Sequence, residues 1–390
     1  MRALAWLLAP LALGGCFFDR SGLAPPGGDG GPAPADARVA LDAPMTPTDA
    51  RPDPVDTGPP LPEGWLDPAW RARHRLVFDN AASDEDLLDF PVLVTLDSAR
   101  VDLAEAGPGG VALRFVDPDG TPLAHEVERW DPSGLSHVWV RVPRVDAAST
   151  EDFVWMYTDN PSATDGQDPA GVWSPAHRGV WHLTDGFEDA TPHANHGSAS
   201  AAVDAEGVIG RARRFDRGQP SVVPDAPSLD LTEAVTISAW MRPTSLSHQL
   251  GVLAKRVGCG NEGNYAVFIR NDDEIQFEHY DGNWRTFHEG SLETDRWQWV
   301  AATFDTTTDV VQIYLDGAAT GDPMTGNREL IPDDNPIELG QNGGCAGDYM
   351  EGDLDEIRLE AVARSPAWIA AQHRSMTDAF LTVGAAERLP

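Results

Sequence analysis

From Trp65 onward the chain consists of short runs rich in Val, Phe, Leu and Trp, broken by turn-forming residues roughly every eight to twelve positions. Such runs are shorter than ordinary helices, and turn signals bound each of them, so they must pair as antiparallel strands. Residues 74–78, 90–96, 111–116, 125–130, 136–142 and 153–157 read as strands of a first domain, with Asp117-Pro118-Asp119-Gly120 as a hairpin turn. A second series begins near Gly179 and includes Val235 to Pro243, Tyr265 to Gly282, Arg296 to Gly317 and Gly352 onward. Leu315-Asp316-Gly317 reads as a tight turn. Ser365-Pro366 reads as the cap and first turn of one short helix ending near Met376, and Phe380 to Val383 as a returning strand. The expectation is an all-β protein of two antiparallel β-sandwich domains.

The 390 residues hold 13 Trp and 13 Phe, enough apolar bulk for two cores. Between Asp19 and Gly64 the texture is Pro, Gly, Ala and Asp, as in PPGGDGGPAPADA, which cannot bury enough surface to fold and reads as a disordered, semi-extended linker. The net charge of −34, from 62 acidic and 28 basic residues, speaks against nucleic acid as a partner. Lys255 is the only lysine.

Met1-Arg2 followed by an apolar run and Leu13-Gly14-Gly15-Cys16 resembles the signal peptide and lipobox of bacterial lipoproteins. The resemblance implies cleavage before Cys16, lipidation of that cysteine as the sole membrane attachment, and a cell-envelope location, at the outer membrane or cell surface. Cys259 and Cys345 then remain as an even pair in Gly-rich loops, expected to form a disulfide. The domain plan is a signal peptide over 1–16, linker over 17–64, a β-sandwich over 65–175 and a second over 176–390.

WLDPAWRARHRLVFDN, DFPVLVTLD, VWVRVP and FVWMYTDNPSA in the first domain resemble a bacterial surface-protein domain of unknown function that commonly precedes a LamG domain. VTISAWMRP, GVLAKR, YAVFIRNDDEIQFEHYDG, RWQWVAATFDTTTDVVQIYLDG, IELGQ and GDLDEIRLEAVARSPAWIAAQH follow in the order of the LamG/pentraxin branch of concanavalin A-like jelly rolls. That resemblance implies calcium held by an Asp of the early D-x-x-x-x-x-N loop and an Asp of the late strand, here Asp189, Asn195 and Asp355. Alternatively, Asp189 and Asp355 only cap turns. Pro192, His193 and His196 depart from the usual Gly-rich and Asn-rich form of that loop. His193 and His196 carry little metal chemistry, since imidazoles at that spacing in an extended loop diverge.

Tyr280 and Trp284, flanking the turn Asp281-Gly282-Asn283, are the candidate ligand platform, because aromatic faces beside amide or carboxylate groups suit sugars. Trp240, Trp297 and Trp299 are expected in the core. EGDLDE at 351–356 also has the carboxylate spacing of laminarinase-type glycoside hydrolases, with Glu351 and Glu356 as the catalytic couple. On a regular strand, however, Glu351 and Glu356 face opposite ways unless a bulge intervenes. Gly352 also replaces the aliphatic residue of those enzymes. The reading is therefore a calcium-stabilised binding protein for a glycan or another surface protein, not an enzyme. A glycoside hydrolase and a purely structural envelope component are the alternatives.

Overall fold

The computed structural model describes residues 64–256, 258, 263–343 and 347–389. Cys16, Cys259 and Cys345, with the signal peptide and most of the linker, lie outside the described residues. Within them the chain is two antiparallel sandwiches, as the strand rhythm requires.

In the first sandwich, strands Leu87–Leu96, Ser136–Val145 and His125–Arg129 form a three-stranded sheet. It faces a sheet centred on Ala72–Phe78 and Phe153–Thr158. Phe90, Val92, Val94 and Leu96 alternate into the core between these sheets, beside Val138, Val140 and Val142. The opposite face of the three-stranded sheet presents Leu93, Trp139, Glu126 and Glu128 to the second sandwich.

The second sandwich stacks an eight-stranded sheet on a six-stranded one. Ile237, Val300, Phe304, Leu354, Ile357 and Leu359 from the former meet Leu253, Val267, Ile275 and Phe277 from the latter. Its outer face carries Trp240 and Trp299, so these core tryptophans sit between the two sandwiches, with Trp139, Trp173 and Ile369. Trp139 is fully buried there, and Trp139→Ala is expected to cost about 3–5 kcal/mol, read as a fall in melting temperature.

Local signals hold where they are strongest. Asp316 and Gly317, at φ 49° and 78°, make the two-residue turn between strands Val310–Leu315 and Ala318–Thr325. The Ser365 hydroxyl accepts the Trp368 amide at 3.1 Å and starts helix Pro366–Met376. The domain plan needs one correction. Strands Leu381–Val383 and Glu387–Arg388 both pair with Ala72–Phe78, so the end of the 176–390 segment completes the first sandwich. Phe380 lies with it, stacked 6.0 Å from Phe78. Among the described residues no helix is long and apolar enough to cross a membrane.

Candidate functional site

Strands Gly263–Ile269, Glu274–Tyr280 and Trp284–Ser291 run side by side at one edge of the six-stranded sheet. Tyr280 pairs with Trp284 across the hairpin, ring centroids 5.5 Å apart. The Asp281 carboxylate fixes the turn by accepting the Asn283 amide at 3.0 Å and Arg285 Nε at 2.5 Å. Tyr280 lines a cleft of about 330 Å³ with Gly263, Ile331, Pro332, Asp333, Asp334 and Asn335. Trp284 packs under the Arg256 guanidinium at 4.4 Å and over Gly263, so it forms a flank of the cleft rather than its floor. Behind the opposite wall, the buried Lys255 ammonium donates to the carbonyls of Asp333 at 2.8 Å and Asn335 at 2.7 Å and to Asp225 at 2.5 Å. The cleft thus combines an aromatic side chain with carboxylate and amide groups on an anchored loop.

Asp189 and Asn195 come together, but their lone pairs serve their own loop. Asp189 Oδ1 accepts the amides of Val180 and Thr191, and Oδ2 accepts the Thr191 hydroxyl and the Asn195 amide. The Asn195 Nδ2 donates to the Arg178 carbonyl and its Oδ1 accepts from Ser228. Asp355 Oδ2 accepts the amides of Val208 and Ile209, at 2.7 and 3.0 Å. Calcium needs six to eight oxygens; Asp189 and Asn195 are occupied as turn-capping groups and of the three residues only the buried Asp355 Oδ1 is left without a partner, so the set does not fit calcium. His196 Nδ1 accepts the Asp189 amide while His193 Nε2 faces Arg178, so the two imidazoles serve different partners.

Strand Glu351–Glu360 contains a bulge: Asp355 pairs with Trp240 and Arg358 with Ser238, leaving Glu356 and Ile357 opposite Ala239 alone. Glu356 takes φ 50° to make it. Asp355 and Glu356 therefore both face outward, while Leu354 and Ile357 face the core. Even so, Glu351 and Glu356 do not form a catalytic couple. Glu351 lies beside Arg217 and His248, whereas Glu356 meets His182 and Arg358. Five residues of strand put the two Cα atoms roughly 16 Å apart, against the carboxyl separation of about 5 Å that a retaining hydrolase uses. Gly352, at φ 140°, is required because a Cβ there would lie 2.3 Å from the Arg242 carbonyl oxygen.

Comparison with known proteins fits this architecture. Residues 215–370 match the family model described as the concanavalin A-like lectin/glucanases superfamily, and residues 110–196 match a domain of unknown function, DUF2341. The chain carries a concanavalin A-like domain. No curated protein matches the chain. Among solved structures it is similar to domain 4 of AbnA, a GH43 extracellular arabinanase from Geobacillus stearothermophilus, in complex with arabinotriose: 17% identity over 50% of this chain and 96% of that one, TM-score 0.42. The binding domain of Paraclostridial Mosquitocidal Protein 1 shares 14% identity over 51% of this chain and 52% of that one, TM-score 0.42. The Ruminococcus gnavus IT-sialidase CBM40 bound to alpha2,3 sialyllactose shares 14% over 42% and 96%, TM-score 0.37. All three likenesses are too shallow to carry an argument.

The concanavalin A-like domain also meets its neighbour through a buried polar cluster that sequence reasoning missed. Glu126 and Glu128 come from strand His125–Arg129, two residues apart and so on one face. His182 Nδ1 lies 2.5 Å from Glu356 Oε1 and 3.4 Å from Glu128 Oε2, and its Nε2 lies 3.4 Å from Glu126 Oε2. Trp139 Nε1 donates to Glu128 at 2.7 Å, Trp173 Nε1 to Glu126 at 3.1 Å and Arg358 to Glu356 at 2.5 Å. The Arg358 guanidinium lies against the rings of both Trp139 and Trp173. Burial alone would raise the Glu356 carboxyl, but the charges of His182 and Arg358 overcome it and hold it at about 2. Burial and the Glu356 charge push Glu128 up to about 8. Burial opposes protonation of His182, yet the Glu356, Glu126 and Glu128 carboxylates raise it well above the ordinary imidazole value.

Proposed function

We propose that this is a lipid-anchored bacterial envelope protein that binds carbohydrate through its concanavalin A-like domain, at the Tyr280 cleft. The observation that carries the reading is that cleft, which the partly exposed Tyr280 lines together with Asp333, Asp334 and Asn335 within a lectin/glucanase-type sandwich. Sugars present C–H faces that pack on aromatic rings and hydroxyls that bond carboxylates and amides, and the cleft offers both. The Leu13–Cys16 lipobox and the Pro-rich stretch after it support anchoring, with the linker holding the domains away from the membrane.

A glycan array is the direct test. Retention of at least one glycan class is expected, with Tyr280→Ala weakening it about tenfold, or about 1.4 kcal/mol. Trp284→Ala is expected to weaken it less, since Trp284 only flanks the cleft. Because Asp189, Asn195 and Asp355 do not fit calcium, added calcium is expected to leave both retention and melting temperature unchanged. Retention untouched by Tyr280→Ala would place the sugar elsewhere, and no retention by the wild type on any glycan would refute the reading.

A further inference from the structure

We propose that Glu128, His182 and Glu356 form a binding site for one divalent metal ion of borderline softness, with zinc as the best fit. The site lies at the seam between the two sandwiches, distinct from the Tyr280 cleft, in a cleft that Asp189 also lines. One donor atom from each of the three side chains lies within 4.8 Å of the other two. Zinc bonds of about 2.1 Å at tetrahedral angles place neighbouring donors roughly 3.4 Å apart. The separation of His182 Nδ1 and Glu128 Oε2 is already 3.4 Å, and the 2.5 Å between His182 Nδ1 and Glu356 Oε1 has to open by less than an ångström. One imidazole with two carboxylates is a donor set for zinc rather than for calcium.

The surroundings supply what such a site requires beyond its ligands. The far nitrogen of His182 faces the Glu126 carboxylate, the carboxylate–histidine–metal arrangement that fixes the ring when the near nitrogen binds a cation. Glu128 is oriented by Trp139 and by the Thr184 hydroxyl at 2.9 Å, and Glu356 by Arg358. A cleft of about 190 Å³, lined by Glu126, Glu128, His182 and Thr184, gives an ion a route in and leaves a fourth coordination position facing solvent. The turn over the site approaches closely: a Cβ on Gly210, at φ 61°, would stand 2.6 Å from Glu128 Oε1.

Two independent observations favour a cation over a purely structural ion-pair network. The bulge that turns Glu356 outward places it beside Asp355 on the same face, at the expense of a left-handed backbone at a non-glycine residue. Asp355 is fully buried, and its Oδ1 has no hydrogen-bond partner. Four carboxylates, those of Glu126, Glu128, Asp355 and Glu356, thus share a buried face whose cationic side chains are Arg358 and His182. The other basic groups nearby are spent elsewhere, with His137 accepting the Gly210 amide and Arg129 donating to the Gly210 carbonyl. A divalent ion supplies the positive charge that buried carboxylates require.

The test uses the full chain, stripped with a chelator and dialysed, then titrated with cobalt followed by visible absorption and with zinc by calorimetry. One equivalent of each is expected to bind, with low-symmetry cobalt bands and a raised melting temperature. Glu128→Gln, whose amide keeps an oxygen for Trp139, is expected to weaken binding at least tenfold, and His182→Gln to abolish it. Glu126→Gln, which meets the ring of His182 and the Trp173 indole but neither of the other two proposed ligands, is expected to weaken binding about tenfold. If His182→Gln fails to fold, the two glutamate variants decide. Absence of stoichiometric binding to the wild type, or binding unchanged in Glu128→Gln, overturns the proposal.

Discussion

Acidification from pH 7 to pH 4 is expected to lower the stability of this protein on the order of 5 kcal/mol and to bring on cooperative unfolding. Four buried histidines, His125, His137, His177 and His279, are held at about 4 rather than 6.5, in each case chiefly because burial disfavours the charged ring. The charges of Arg114 and Arg129 add to this at His125 and His137. Because these folded values are depressed, the unfolded chain binds protons first. Their stabilisation is complete above pH 6.5 and is lost as pH falls towards 4, about 3 kcal/mol for each ring. Glu128, raised to about 8, and Asp355, also raised, act in the opposite sense. They gain stability on acidification and offset part of the loss. The same contribution is lost as pH rises, from about 4.5 to 8 for Glu128 and above 6.5 for His182, so the melting temperature is expected to peak near pH 6.5. His279 stacks 4.1 Å from Phe304, and His279→Phe is expected to flatten the acid limb by one histidine's share. A melting temperature constant from pH 7 to 4.5 would contradict the assignment of these rings as buried and neutral.

What could be read from the sequence was what is local. Period-two alternation gave Phe90 to Leu96 and Ser136 to Val142 their inward faces, and Ser365-Pro366 and Asp316-Gly317 carry their turn chemistry in adjacent residues. The concanavalin A-like domain was recognisable because its pieces occur in order. The pairing of Leu381–Val383 with Leu76–Phe78 joins residues about three hundred positions apart, and nothing in either run names its partner. Glu126 and Glu128 illustrate the harder case. Two glutamates at alternate strand positions read as a solvated face, and only the docking of that face against Val180, His182 and Arg358 makes them buried acids. The bulge at Glu356 was named as the condition for turning that carboxylate, and it exists. It delivers Glu356 to His182 rather than to Glu351, because a bulge changes which face a residue takes but not its distance along the strand.

Lys255→Met is expected to cost about 3–5 kcal/mol in chemical denaturation and to weaken glycan retention with it. Lys255 is fully buried, and its ammonium lies among the carboxylates of Asp225, Asp230 and Asp333, at 2.5, 3.4 and 3.4 Å. Methionine keeps the stem's volume and packing but removes the charge, so what is lost is the cation and not the core. Three carboxylates would then face one another with no counter-charge, and the carbonyls of Asp333 and Asn335 would lose their donor. Those carbonyls belong to the wall of the Tyr280 cleft, so the strain falls on the loop that the proposed ligand touches. Asp225→Asn removes one carboxylate and leaves two for the ammonium, so alone it is expected to cost less than Lys255→Met. The double variant is expected to be more stable than the sum of the two losses allows, by 1 kcal/mol or more, because the second change relieves repulsion that the first creates. Amide exchange over residues 331–336 separates this account from a general loss of packing. In Lys255→Met that segment should lose protection ahead of strand Leu250–Arg256, and simultaneous loss, or additive energies in the cycle, would refute the role given to the ammonium.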